Sequence, residues 1–242
     1  MLELLINDDG AVRVLTMNRP DKRNALNLSL SEALFDALRD ADAAAGVRAV
    51  VLTGAGPAFC AGADLTEFAA LSAANEGLIA RRADITMKLH GVFAALTKPV
   101  VTAINGAAMG GGAGLALAGD IAIMSATAKL GYPEVKHGIV AAVVMANLVR
   151  QAGRKAAFEM VATGEPIDAA RALALGLVNR VVAPEALLAE AIQTAQKLAA
   201  VAPQAMAATK ALFYRAAELP FAEALEAGRE VNRAMRAFRK DK

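Results

Sequence analysis

The sequence predicts an α/β fold that ends in a purely helical region. Three observations predict it. Short, nearly uninterrupted apolar runs alternate with stretches of helical periodicity up to about residue 182. Two of these runs lead into glycine-rich loops that open toward a helix or turn. From Pro184 onward strand-like runs cease and only helical patterns remain. The 242 residues are enough for one large domain with a sizeable core, with or without a helical appendage. Apolar residues make up 56% and the mean hydropathy is +0.40, so extensive burial is expected, including burial between subunits.

Taken in order, residues 2–6 and 12–17 are apolar runs separated by Asp9-Gly10, a hairpin signal. Residues 18–27 (NRPDKRNALN) are polar and turn-rich. A helix is expected from Ser29, because Ser29 and Glu32 have capping-box spacing. Leu30, Ala33, Leu34, Ala37, Leu38 and Ala41 then recur at helical spacing, and Gly46 ends the element. Residues 47–53 read as a buried strand and 54–64 (GAGPAFCAGAD) as a glycine-rich loop. Residues 65–97 read as helix with breaks near 75–77 and at Gly91. A second buried strand is expected over 99–104, a short helix over 110–118, and a third strand over 121–125. A loop and helix follow over 133–150, and a strand over 177–182. Helices over 185–200, 204–218 and 221–238 are separated by Pro203 and Pro220. Leu225, Val231, Met235 and Phe238 form an apolar stripe suited to its own core or to a neighbouring subunit. The tail with Arg239, Lys240 and Lys242 reads as basic and solvated.

Composition narrows the function. Lys+Arg number 26 and Asp+Glu 24, a net charge of +2, which does not argue for nucleic acid. The absence of Trp and the scarcity of Phe and Tyr remove an aromatic stacking platform. The single cysteine, Cys60, allows no internal disulfide and fits a reducing, cytoplasmic compartment. Glu3, Asp8 and Asp9 near the start do not resemble a signal peptide. Residues 99–119 carry no charge and are long enough to span a membrane, but Pro99, Asn105 and the glycines at 110–112 fit a strand, turn and buried helix better.

The two glycine-rich loops suggest the chemistry. Backbone N–H groups at a helix start are free to donate and carry partial positive charge. Two such loops, if they converge, place two donors on one carbonyl oxygen and stabilise an oxyanion. Competing signatures fail. Leu115 stands where a dinucleotide loop needs its third glycine, no Walker lysine follows the glycines, no GxSxG is present, and no His/Cys/carboxylate cluster has zinc spacing. Asp64 is expected to cap the following helix, Glu67 to be exposed, Asp120 and His90 to be structural, and His137 to be a surface or capping group that could line a pocket. Arg81, Arg82, Arg150, Arg154 and Lys155 read as solvated faces, some of which could meet phosphates.

The motifs themselves resemble a known family. Residues 59–65 (FCAGADL) resemble the FxAGADL loop of the crotonase, or enoyl-CoA hydratase/isomerase, superfamily, and residues 105–112 (NGAAMGGG) resemble its NGxxxGGG segment. The likeness continues through 115–121 (LALAGDI), 132–135 (YPEV) and 174–178 (ALGLV), with NALN at 24–27, and so covers nearly the whole chain. The resemblance implies a crotonase-like spiral of ββα units over residues 1–185 and a C-terminal helical, trimerisation region over 186–242. It implies an acyl-CoA substrate, no separate cofactor and no metal, with coenzyme A entering as part of the substrate, and a homotrimer or hexamer. The oxyanion hole would be the N–H groups of Ala63 and Gly111, and Glu134 the acid/base. Arg23, Ala25, Ala61, Asp64, Leu65, Met109, Gly110 and Pro133 would frame the substrate.

The chain also departs from the pattern. A typical hydratase has a second glutamate where this chain has Gly114, and the glycine-rich stretch after PE reads GIVAAV at 138–143. One glutamate suffices to move a double bond from the 3- to the 2-position, so isomerisation is favoured. Hydration would need another group to hold water, and a non-catalytic acyl-CoA-binding protein is the alternative of another class.

Overall fold

The computed structural model describes residues 2–68 and 75–238. The basic tail and the stretch 69–74 of the expected helix lie outside the described residues. The chain opens with β1 (Leu4–Asp9) and β2 (Val12–Met17), an antiparallel hairpin whose two-residue loop is Gly10 and Ala11. Gly10 has φ 60°, a value that its missing side chain makes accessible.

Helix α1 (Leu28–Ala43) follows. Its N-cap is Asn27, whose side chain accepts from the Leu30 N–H at 2.8 Å, so the Ser29 capping box is corrected. Asn27 keeps extended backbone while Ser29 already lies in the first turn, and only the former can cap. The predicted stripe is buried except for Ala33.

Next come β3 (Ala49–Gly54), β4 (Ala58–Cys60), α2 (Leu65–Phe68) and α3 (Glu76–Ala95). Then follow β5 (Val100–Ile104), β6 (Ala107–Met109) and α4 (Gly111–Ala118). A third set is β7 (Ile121–Ser125), β8 (Lys129–Gly131), a 3-10 turn at Pro133–His137 and α5 (Met145–Thr163). Each set is a long strand, a short strand and helix, so three ββα units succeed one another as the spiral reading requires. Gly91 does not break α3. It faces open space, and an exposed mid-helix glycine costs only about 0.5–1 kcal/mol.

The strands β9 (Ile167–Asp168) and β10 (Arg180–Val182) flank α6 (Ala169–Ala174), and α7 (Leu187–Ala199), α8 (Pro203–Glu218) and α9 (Phe221–Ala234) complete the chain. The five long strands and the three-residue β10 form one sheet in the order β1-β2-β3-β5-β7-β10, parallel beyond the opening hairpin, and the remaining short strands form a second, β4-β6-β8-β9.

Alternation within the long strands explains why they read as continuous apolar runs. Leu15, Leu52 and Ile104 point into the main core with Phe59, Phe93 and Leu115. Val12, Val51, Val101 and Ile123 point the other way and are covered by Leu187, Ala191 and Ala195 of α7. Asp120 is structural, as expected. It accepts from the Val100 N–H, the Tyr214 hydroxyl and the Lys210 ammonium at 2.7–2.8 Å, which pins α8 to the start of β5. Leu225 and Met235 of the predicted stripe are exposed. Among the described residues no helix is long and apolar enough to cross a membrane; residues 99–119 divide into β5, β6 and α4.

Candidate active site

The site is built by two loops that meet. The first runs from Ala61 to Asp64, between β4 and α2. Residues 23–26 lie along it: Ala61 N–H donates to the Arg23 carbonyl, Leu26 N–H to that of Gly62, and Asp64 N–H to that of Leu26, at 2.7–3.0 Å. In such a parallel bridge the flanking residues make the bonds, so the Ala63 N–H points away from residue 26. The turn at Arg23 and Asn24 has positive φ (48° and 56°). Buried Asn24 holds it by donating to the carbonyls of Ala55 and Ala58 and accepting from Arg19 N–H.

The second loop is Gly110-Gly111. Gly110 has φ 52° and its N–H donates to Gly131, while Gly111 begins α4, so its N–H has no helical partner. A Cβ on Gly62 would lie 2.7 Å from the Met109 oxygen and 3.4 Å from the Gly111 nitrogen. Only glycine lets the loops approach this closely. Neither the Ala63 nor the Gly111 N–H meets an acceptor among the described residues.

Both loops edge a cavity of about 590 Å³. Its remaining wall comes from α3, through Ile79, Ala83 and Leu89, and from residues 139–144. Glu134 enters from the 3-10 turn after β8. Its Oε1 lies 2.7 Å from where a Gly110 Cβ would stand, so the missing side chain of Gly110 is what makes room for the carboxylate. Oε2 is shielded from water and has no hydrogen-bond partner among the described residues. Burial raises the Glu134 pKa above its ordinary 4.5, while its own backbone N–H and His137 pull the other way.

Position 114 is the opposite case. A Cβ there would meet Val144 Cγ1 at 2.4 Å and the His90 ring at 2.8–2.9 Å. Besides Glu134, the carboxylate that lines the cavity is Asp64, and it is occupied. Asp64 accepts from the Thr66 N–H and hydroxyl and pairs with Arg19, which together hold its pKa down to about 2. Glu67 is corrected: it is not a free surface group but accepts from the Leu28 N–H and pairs with Arg82 at 3.0 Å. Arg82 is corrected as well, being 9% exposed and donating to the Leu26 carbonyl.

Of the residues singled out by sequence, Ala25, Ala61, Ala63, Asp64, Leu65, Gly110, Gly111, Pro133 and Glu134 line the cavity together. Arg23 is exposed on the adjoining turn, and Met109 sits in β6 behind the wall. His137 is exposed and also lines the cavity. His90 is buried in its wall. Cys60 is fully buried, and burial pushes its thiol up to about 12, which removes it as a nucleophile. Lys22 and Thr86 line the cavity without any signal in the sequence. No group of three or more potential metal ligands occurs among the described residues.

Residues 7–241 match the family model for enoyl-CoA hydratase/isomerase. A protein of Thermus thermophilus, provisionally named an enoyl-CoA hydratase, is 44% identical over 85% of this chain and 81% of its own. The 2,3-dehydroadipyl-CoA hydratase of Escherichia coli is 36% identical over 94% of this chain and 86% of its own. The crystal structure of an enoyl-CoA hydratase from Mycobacterium smegmatis superposes with a TM-score of 0.91 at 36% identity, covering 97% of this chain and 91% of that one. The chain belongs to the enoyl-CoA hydratase/isomerase family of enzymes.

Proposed function

We propose that this member of the family holds an acyl-CoA thioester in the cavity, reacts it through an enolate, and uses Glu134 as the single acid/base, with transfer of a double bond from the 3- to the 2-position favoured. The observation that carries the reading is the meeting of two N–H donors, Ala63 and Gly111, that have no partner among the described residues, beside one half-buried carboxylate.

The thioester oxygen sits between the two N–H groups, where each donor contributes about 3 kcal/mol to the enolate. With charge drawn onto that oxygen, the Glu134 carboxylate takes the proton from carbon 2. The carboxyl group then returns it to carbon 4 of the dienolate, and no water is consumed. A raised pKa suits both halves, because the group must accept a proton and give it back. Ala25, Ala61, Asp64 and Leu65 border the coenzyme A portion, with Arg23 at its outer turn and Met109, Gly110 and Pro133 framing the reacting end. The exposed Phe213, Phe221 and Leu225 on α8 and α9 support a homotrimer or hexamer.

Hydration is the second reading, favoured by the names of the relatives. It requires that something other than a carboxylate at position 114 hold the water. Incubation with 3-hexenoyl-CoA and, separately, with 2-hexenoyl-CoA separates the readings. A 2-enoyl product of unchanged mass is expected from the first. Water added to 2-hexenoyl-CoA, with 3-hexenoyl-CoA left unchanged, would replace isomerisation with hydration, because only the conjugated double bond takes a nucleophile at carbon 3. Tight binding without product from either ester would point to the non-catalytic alternative.

A further inference from the structure

Helix α4 carries the Gly111 donor yet has no polar side chain of its own. Its sequence is GGAGLALA, and its N-cap Gly110 makes no side-chain cap bond. Neighbouring elements hold it instead, by side chains that meet its carbonyl groups. Thr102 Oγ1 donates to the Ala116 carbonyl and Gln151 Nε2 to that of Leu117, both at 2.8 Å and both at the far end. At the near end the group is His90 of α3, whose Nε2 lies 3.0 Å from the Gly111 carbonyl oxygen. His90 is 7% exposed and borders the cavity. Its ring stands against position 114 so closely that any Cβ there would strike it.

We propose that His90 is a positioning residue for the oxyanion hole: its Nε2–H donates to the Gly111 carbonyl and so keeps the Gly111 N–H aimed into the cavity. The proposal rests on the reading of Gly111 as an oxyanion donor. The bond acts on the far side of the Gly111 Cα from the donor, and thus fixes the orientation of a residue that has no side chain to anchor it. The other ring nitrogen, Nδ1, faces the Thr86 carbonyl at 2.8 Å. That carbonyl lies one helical turn back and also receives the His90 backbone N–H. Burial favours the neutral ring, which carries one hydrogen.

The nitrogen that holds the hydrogen is therefore decisive, and it is measurable in the unmodified protein. The chain has two histidines, so ring ¹⁵N NMR with His137→Gln as an assignment control identifies the His90 signals. A protonated Nε2 is expected, and a hydrogen on Nδ1 alone overturns the proposal. A second measurement reads the donor itself. Cinnamoyl-CoA is a chromophoric thioester whose absorbance moves to the red when its carbonyl is polarised. The unmodified protein and His90→Gln, which keeps a donor at the Nε2 position, are expected to show that shift. His90→Leu is expected to lose it and to lose about tenfold or more in kcat, with the dissociation constant for the coenzyme A ester changed less than about threefold. Retention of shift and kcat in His90→Leu overturns the role of His90 alone. Absence of the shift in the unmodified protein overturns the oxyanion reading and this proposal with it. If His90→Leu does not fold, the NMR result decides.

Discussion

Gly110 and Gly114 are one turn apart at the start of the same short helix, and both lack a side chain for a reason of space. The two spaces are filled differently. Beside Gly110 stands the Glu134 carboxylate, 2.7 Å from the absent Cβ. Beside Gly114 stand a valine methyl at 2.4 Å and an imidazole at 2.8 Å. One vacancy thus holds a titratable group at the cavity and the other is closed by packing. Under the proposed mechanism, the single acid/base follows from what occupies the second space, as well as from residue 114 not being a glutamate.

The largest effect should come from the carboxylate itself. Glu134→Gln keeps the shape and removes the proton acceptor, so kcat should fall on the order of 10²–10⁴-fold while the coenzyme A ester still binds; steady-state rates with 3-hexenoyl-CoA, together with a binding titration, check both halves. Gly110→Ala should come next. Its Cβ would push on Oε1 of Glu134, and its φ of 52° is unfavourable for alanine, so a loss of up to about 100-fold in kcat is expected from displacement of the acid/base. A rate within twofold of the unmodified protein would mean that Glu134 works from another position.

Gly114→Ala should act chiefly on stability, with a smaller loss of kcat because the added Cβ also presses on His90. Overpacking against Val144 and His90 should cost about 1–3 kcal/mol, read as a lower midpoint in denaturant, and Val144→Ala in the same chain should recover part of it. If both glycine variants lose activity equally and neither loses stability, the contrast between the two spaces is wrong.

The smallest effect is on pH dependence. Burial raises the Glu134 pKa above 4.5 in the folded protein, so the fold binds this proton more tightly than the unfolded chain does. Relative to Glu134→Gln, the carboxylate's cost to stability is absent below about pH 4.5. It grows as pH rises through the folded pKa and is full above it. The Gln variant should accordingly melt higher at neutral pH, with the difference vanishing in acid. The rising limb of kcat against pH should lie above 4.5 for the same reason.

Much of this was legible in the letters. The meeting of the two glycine-rich loops and the PEV turn at one cavity was legible in residue types, because close backbone approach demands glycine and the proposed proton acceptor must be a carboxylate. The long strands were legible because both faces are buried and the runs are uniformly apolar. The short strands β4, β6 and β8 were not. Each has three residues, too few to show alternation, and each is embedded in a segment that reads as loop or turn. Asn27 is hidden as the cap because Ser29, with Glu32 three residues on, has the capping-box spacing whereas Asn27 has Leu30 there, and only backbone geometry decides between them. Burial of Arg82 and Glu67 depends on α2, α3 and the turn at residues 23–26 coming together, which no local pattern encodes. The contact of His90 with Gly111 is of the same long-range kind.

The most direct test of the central claim removes the double bond from the question. Saturated hexanoyl-CoA in D₂O can neither isomerise nor add water, yet enolate formation exchanges its carbon-2 hydrogens for deuterium. The account predicts exchange catalysed by the unmodified protein and none above background with Glu134→Gln. Equal exchange by both proteins would show that another group takes the proton and would contradict a single acid/base at Glu134.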